Sequence, residues 1–333
     1  MAKPKVAFYW CSSCGGCEEA IVDLNEGLLQ VAEKVDIVFW PCAMDFKYED
    51  VRKMKKKSID VVFINGAVQN SEHDEMVKLL RQKAKVVVSF GACSNFGGIP
   101  GLANFWDRES LMETSYGKTC PSIDNPDFTT PKTKTEVEEG ELTLPLLSNT
   151  VRSTDQVIDV DYYIPGCAPP PHLTLKALEA ILAGELPEKG SVLAPDESLC
   201  ETCSRKDSKP DTMAIEKVKR VSLVDVDPEE CFLAQGIICM GPVTRTGCDV
   251  EGEGRCIKVN MPCRGCFGPT AEVKDVGAKM VSAFASIVGM ESEENMSKEE
   301  VEDVLADFLD PAGTFYRFSL PKSMLRRKMK HDI

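Results

Sequence analysis

Basic charge is what this sequence lacks first. Its 39 lysines and arginines are outnumbered by 53 aspartates and glutamates, which leaves a formal net charge of −14 over 333 residues. Binding nucleic acid needs a positive footprint for phosphate, so no nucleic-acid partner is expected. Nucleotide-cradling motifs are missing too: neither G-x-G-x-x-G nor G-x-x-x-x-G-K-[ST] occurs. The longest uncharged stretch, residues 86–106, is broken by Gly91, Gly97, Gly98, Pro100 and Gly101 and by Ser89, Ser94, Asn95 and Asn104. It reads as a strand plus loop, so no membrane span is expected. Residues 1–10 form one short apolar run with no charged region ahead of a long hydrophobic one, no small-residue cleavage site and no twin-arginine leader. That pattern points to the cytoplasm, where thiols stay reduced. Histidine is confined to His73, His172 and His331, and all three read as structural or solvated.

Cysteine, by contrast, is abundant, with 15 in the chain. A secreted mini-protein would use so many for disulfides, but this chain is too long for that class, and clustered cysteines in a reducing compartment bind metal. The first half alternates β-branched runs (6–10, 35–40, 60–64, 85–90 and 157–164) with helical patterns (17–29, 48–57, 72–83 and 172–182), the last closed by Gly184. Alternation of this kind predicts a parallel sheet with helices on both faces. Residues 107–153 break the rhythm with Pro121, Pro126, Pro131, Pro145 and an acidic run at 136–141, and read as a long surface excursion between strands four and five. From about Glu188 the chain turns cysteine-rich and irregular. Two domains are expected, 1–187 and 188–333, with a last helix from Ser297 whose capping box is completed by Glu300.

Cys14 and Cys17 follow the first strand, Cys93 the fourth and Cys167 the fifth. In an open parallel sheet the carboxyl ends of the strands line one crevice, so topology alone gathers these four thiols. Four convergent thiolates hold either a 4Fe–4S cluster or a tetrahedral zinc. A second set, Cys200, Cys203, Cys231, Cys239, Cys248, Cys256, Cys263 and Cys266, has the number that two more 4Fe–4S clusters require. Zinc ribbons also use C-x-x-C pairs, but the single cysteines spaced eight or nine residues apart suit loops that wrap a cluster better. Cys11, Cys42 and Cys120 remain over and read as free buried cysteines.

The motifs Cys14-x-x-Cys17-x-Glu19, Gly91-Ala-Cys93 with Gly97-Gly98, Pro165-Gly166-Cys167, Cys239-Met-Gly-Pro242 and Cys263-Arg-Gly-Cys266 resemble those of nickel–iron hydrogenase small subunits. The resemblance is greatest to the cytoplasmic, viologen-reducing (deazaflavin-nonreducing) type associated with heterodisulfide reductase. It implies a flavodoxin-like doubly wound sheet followed by a cysteine-rich, mostly irregular and helical cluster-binding domain. It implies three 4Fe–4S clusters: a proximal one on Cys14, Cys17, Cys93 and Cys167, a medial one on Cys248, Cys256, Cys263 and Cys266, and a distal one on Cys200, Cys203, Cys231 and Cys239. Two departures from the periplasmic members matter, because those usually place histidine where Cys200 stands and lack a cysteine at the position of Cys256. The implied partners are a large subunit with the nickel–iron centre, docked near Phe96, Phe105 and Trp106, and a small 2Fe–2S subunit leading to heterodisulfide reductase. A flavin diaphorase or deazaflavin reductase is the alternative acceptor. The related cluster-binding subunit of respiratory complex I fits less well, because it has adjacent cysteines in its first motif and no second cysteine-rich domain.

Overall fold

The computed structural model describes residues 3–117, 122, 124–215, 217–250, 252–288, 297, 299, 302, 306, 308 and 310–325. The expected helix from Ser297 with Glu300, Cys120, the basic tail 326–330 and His331 lie wholly or largely outside the described residues. In chain order the strands are β1 (Lys5–Trp10), β2 (Asp36–Phe39), β3 (Ile59–Asn65), β4 (Val68–Asn70), β5 (Ala84–Phe90), β6 (Lys134–Val137), β7 (Gly140–Thr143), β8 (Leu147–Arg152) and β9 (Tyr162–Ile164). The helices are α1 (Gly16–Val22), α2 (Glu26–Lys34), α3 (Tyr48–Lys53), α4 (Ser71–Lys83), α5 (Ala92–Phe96), α6 (Arg108–Tyr116), α7 (Pro171–Ala183), α8 (Leu199–Thr202), α9 (Arg255–Lys258) and α10 (Val276–Ala285).

Five strands form one all-parallel sheet in the order β2-β1-β3-β5-β9. This is the doubly wound flavodoxin-like order, with its switch point between β1 and β3. Both faces are covered, which is why the strands are near-continuous apolar runs such as Val61-Val-Phe-Ile64. Alternate residues serve opposite cores. Val6, Phe8, Phe63 and Phe90 pack with Ile21 of α1 and Leu173 and Ala177 of α7. Ala7, Tyr9, Val62 and Ile64 pack with Val51 of α3 and Met76, Val77 and Leu80 of α4. Truncating one of the large buried side chains to alanine costs about 3–5 kcal/mol for a phenylalanine such as Phe63.

The expected helix 17–29 is two helices, interrupted at 23–25, where Asn25 takes a φ of +50°. Asn tolerates that conformation because its short side chain bonds locally; here Nδ2 donates to the Asp23 carbonyl. The helix from 48 stops at Lys53, four residues early, and Lys57 has a φ of +56°. The fifth strand is only Tyr162–Ile164; a 3-10 turn, Thr154–Gln156, precedes it. The excursion is not uniformly irregular. It carries α6, an antiparallel hairpin β6–β7 with every strand residue exposed, and β8, which pairs antiparallel with β4. The end of the excursion is buried through Ser148, Thr150, Val151 and Ser153.

Beyond residue 195 the described chain contains short helices and turns around a third core that includes Leu199, Phe232, Ile237, Met280, Phe284 and Phe315. The segment that ends this core folds back onto the sheet. Gly98 N–H donates to Phe318 O at 3.1 Å, and Gln156 Nε2 donates to Pro321 O at 2.7 Å.

Candidate metal centres

The carboxyl ends of β1, β5 and β9 each lead into a turn that carries cysteine. Cys14 lies four residues past β1, and Cys17 is on α1, whose N-cap is Gly15 with a φ of 88°. Cys93 is on α5 directly after β5, and Cys167 three residues after β9. The loops are tied together: Gly91 N–H donates to Ile164 O at 2.8 Å and Ala92 N–H to Gly166 O at 2.7 Å. The four sulfurs share one space. Burial first, then the neighbouring sulfurs of Cys93, Cys167 and Cys14, pushes the Cys17 thiol well up. Burial and the sulfurs of Cys167 and Cys14 push Cys93 up to about 12. Gly91 has φ 88° and ψ 163°, a region open essentially to glycine alone, and a Cβ there would fall on Cys17 Sγ.

The second set divides in two. Cys200 on α8 is pushed up to about 12 by burial and then by the sulfurs of Cys239, Cys231 and Cys203. These four cysteines line one cavity together with Arg205 and Phe232. Cys256 on α9 is raised by burial and the Cys248 sulfur. Cys266 is pushed up to about 12 by burial and by the sulfurs of Cys167, Cys256 and Cys248. Cys263 is raised by burial and by the sulfurs of Cys239 and Cys266. Three groups of neighbouring thiols result: 14/17/93/167 at the strand ends, 248/256/263/266 in the middle and 200/203/231/239 beyond.

Neighbouring groups adjoin one another. The Cys167 sulfur is the first neighbour to raise the Cys266 thiol, which sets the strand-end group beside the middle one. The Cys263 N–H donates to Cys239 Sγ at 3.3 Å, which links the middle group to the last. A further backbone donor points at sulfur within the strand-end group, from Gly16 N–H to Cys14 Sγ at 3.5 Å. Among the described residues, no group of three or more His, Cys, Asp or Glu stands close enough to hold a single metal ion.

Several residues escaped the sequence reading. Glu18, not Glu19, is the buried carboxylate of α1; it accepts from Trp40 Nε1, from Asn65 Nδ2 and from Cys42 Sγ at 3.3 Å. Asn65 ends β3, the strand that carries no cysteine, and also accepts from Ser13 Oγ at 3.3 Å, so it braces the Cys14 loop. The helical face 17, 18 and 21 contained that signal. Cys42 is exposed rather than buried, and its thiol is pushed up to about 11 by burial and Glu18. Cys11 is buried, as expected, in the core on the opposite face. Phe96 is also interior: it packs against Gly268 and under Lys322, so only Phe105 and Trp106 (60% exposed) are open to a partner there. His73 accepts from the Gln69 N–H through Nδ1 at 3.4 Å, a structural role.

Residues 14–181 match the family model described as NADH ubiquinone oxidoreductase, 20 Kd subunit. That match ends before the second cysteine set, whereas the full-length relatives align across it. The F420-non-reducing hydrogenase iron–sulfur subunit of Archaeoglobus profundus is 40% identical over 98% of both chains. An F420-non-reducing hydrogenase subunit of Methanothermobacter marburgensis is 38% identical over 99% of this chain and 98% of its own. A solved [NiFeSe] hydrogenase chain from Desulfovibrio vulgaris Hildenborough aligns with 82% of this chain and 95% of its own, at 18% identity and a TM-score of 0.49. With its parallel sheet, its three groups of cysteines and these relatives along its whole length, the chain belongs to the iron–sulfur small subunits of F420-non-reducing hydrogenases.

Proposed function

We propose that this chain is the electron relay of a cytoplasmic nickel–iron hydrogenase and holds three 4Fe–4S clusters. The observation that carries the reading is the order of the three thiol groups, the middle one set beside the strand-end group through Cys266 and Cys167 and joined to the last by the Cys263 N–H···S Cys239 hydrogen bond. The donor sets fit such clusters. Each has four thiols, the strand-end and last groups each receive a backbone N–H on a sulfur, and beside the last group lies a buried guanidinium N–H with no acceptor among the described residues. When bound, the clusters supply one-electron steps at potentials set by burial, charge and hydrogen bonds to sulfur.

The residues of the chain do the rest. Cys14, Cys17, Cys93 and Cys167 hold the proximal cluster at the strand ends, where Cys14 and Cys167 reach the surface and face the large subunit that contains the nickel–iron centre. Cys248, Cys256, Cys263 and Cys266 hold the medial one. Cys200, Cys203, Cys231 and Cys239 hold the distal one, from which electrons pass to a small 2Fe–2S subunit and on to heterodisulfide reductase. Hydrogen is split on the large subunit and not here. Residues 1–187 and 188–333 act as two units, the first holding the proximal cluster and the second the medial and distal ones. No helix among the described residues is long and apolar enough to cross a membrane.

Iron, acid-labile sulfide and zinc per chain, measured on protein purified without oxygen, test the reading. About 12 iron with equal sulfide is expected. Roughly three zinc without sulfide would overturn it.

A further inference from the structure

Among the described residues of the cysteine-rich half, Arg205 is an arginine almost fully buried with no acidic side chain as partner. It is 4% exposed. Nη1 donates to the carbonyls of Asp227 and Glu230, both at 3.0 Å, and Nη2 to Asn260 Oδ1 at 2.6 Å. The guanidinium lies 4.0 Å over the centre of the Phe232 ring. All these partner groups are neutral, and Nε is buried without any hydrogen-bond acceptor among the described residues. A charge held this way is costly unless an anion faces it. The cavity it lines is that of Cys200, Cys203, Cys231 and Cys239. Three of the five guanidinium N–H are held by fixed carbonyls and an amide, so the side chain cannot swing away, and Nε–H, with one Nη2–H, is left for the sulfur cage.

We propose that Arg205 is the counter-charge and hydrogen-bond donor of the last cluster and tunes its reduction potential. The proposal rests on the reading that these four cysteines hold an iron–sulfur cluster. The electron that reduces this cluster comes from the neighbouring one, held near Cys263, and leaves to the acceptor subunit. A fixed positive charge and an N–H···S bond both favour the more negative, reduced form. Arg205 therefore makes the cluster at the exit easier to reduce and draws electrons away from the hydrogen-splitting end.

The test is a potentiometric titration followed by electron paramagnetic resonance, with iron and sulfide counts, on the whole hydrogenase complex carrying Arg205→Lys or Arg205→Met. In Arg205→Met one cluster midpoint should fall by about 59 mV, a tenfold loss in reduced over oxidised form at a given potential, while the others stay in place. Arg205→Lys keeps the charge but not the Nε–H, so the same midpoint should fall by less. If the methionine variant loses the cluster because the Asp227–Glu230 loop opens, the lysine variant decides alone. A full iron count with a lowered midpoint supports the proposal. An unchanged midpoint in an Arg205→Met protein that keeps its full iron, or in Arg205→Lys where the methionine variant has lost the cluster, reduces Arg205 to a loop clamp and overturns the proposal. Wild-type protein without iron or sulfide would instead defeat the underlying reading, which keeps the two failures apart.

Discussion

Replacing Gly91 by alanine tests whether the strand-end thiols form one built site. The structure opposes the change in two ways. The backbone at φ 88° and ψ 163° lies in a region that costs a residue with a side chain on the order of 1–3 kcal/mol. The new Cβ also falls on Cys17 Sγ and lies 3.5 Å from both Gly166 O and Pro169 Cδ. The loop cannot relieve this by moving outward, because the Gly91 and Ala92 N–H groups are bonded to Ile164 O and Gly166 O. Cys17 is the group that must move, and it is a proposed cluster ligand. Gly190→Ala is the control: its φ is +91°, but a Cβ there meets nothing within 4 Å. Both variants should lose several degrees of melting temperature, at roughly 2–4 °C per kcal/mol for a unit of this size. Only Gly91→Ala should lose about four iron and four sulfide per chain. A Gly91→Ala protein with the full iron count and the wild-type melting temperature would refute the argument.

Asp161→Asn should destabilise the chain by about 1–3 kcal/mol, measured by denaturant titration, because it removes a buried carboxylate from its pairs with the part-buried Arg81 and the largely exposed Lys189. Asp161 accepts from Arg81 and Lys189 at 2.6 Å each and from the Val87 N–H at 2.8 Å. Burial opposes its charge, but Lys189, Arg81 and that N–H outweigh burial and hold the carboxyl below its usual range. Its folded pKa is therefore below the unfolded value of about 3.9, so its contribution is complete above that pH and shrinks as pH falls through the folded value. The gap in melting temperature between wild type and Asp161→Asn should be flat near neutrality and narrow in acid. Cys11→Ala, in the opposite core, should cost about 1 kcal/mol and leave the iron count and paramagnetic spectra unchanged. Cys256→Ser, on α9 beside Cys248, should yield about 11 iron and a three-iron signal. A full count of about 12 in that variant would remove Cys256 from the ligand set.

Much of the fold was legible locally. Strands β1, β3 and β5 are apolar runs bounded by loops, and their period and spacing mark a parallel sheet before any contact is known. Gly184 closes α7 as expected, with a φ of +73°. The strand-end thiols were legible for the same reason: a cysteine just past a parallel strand can lie only at one edge of the sheet. The break at Asn25 and the early end of α3 were not legible, because there the helix period continues while a single backbone angle ends the helix.

The sequence by itself determined the supply of candidate ligands, twelve cysteines in motifs ordered along the chain, together with the sheet that gathers the first four. Tertiary structure decided what no local pattern encodes. It set Cys263 against Cys239 and Cys266 against Cys167, buried Glu18 on α1, and trapped Arg205 with no acidic partner among the described residues. The physical reason is range. Propensity and periodicity act over a few residues, whereas a buried charge or a sulfur acquires its neighbours from segments roughly 20 to 100 positions away, and only the packed chain brings those together.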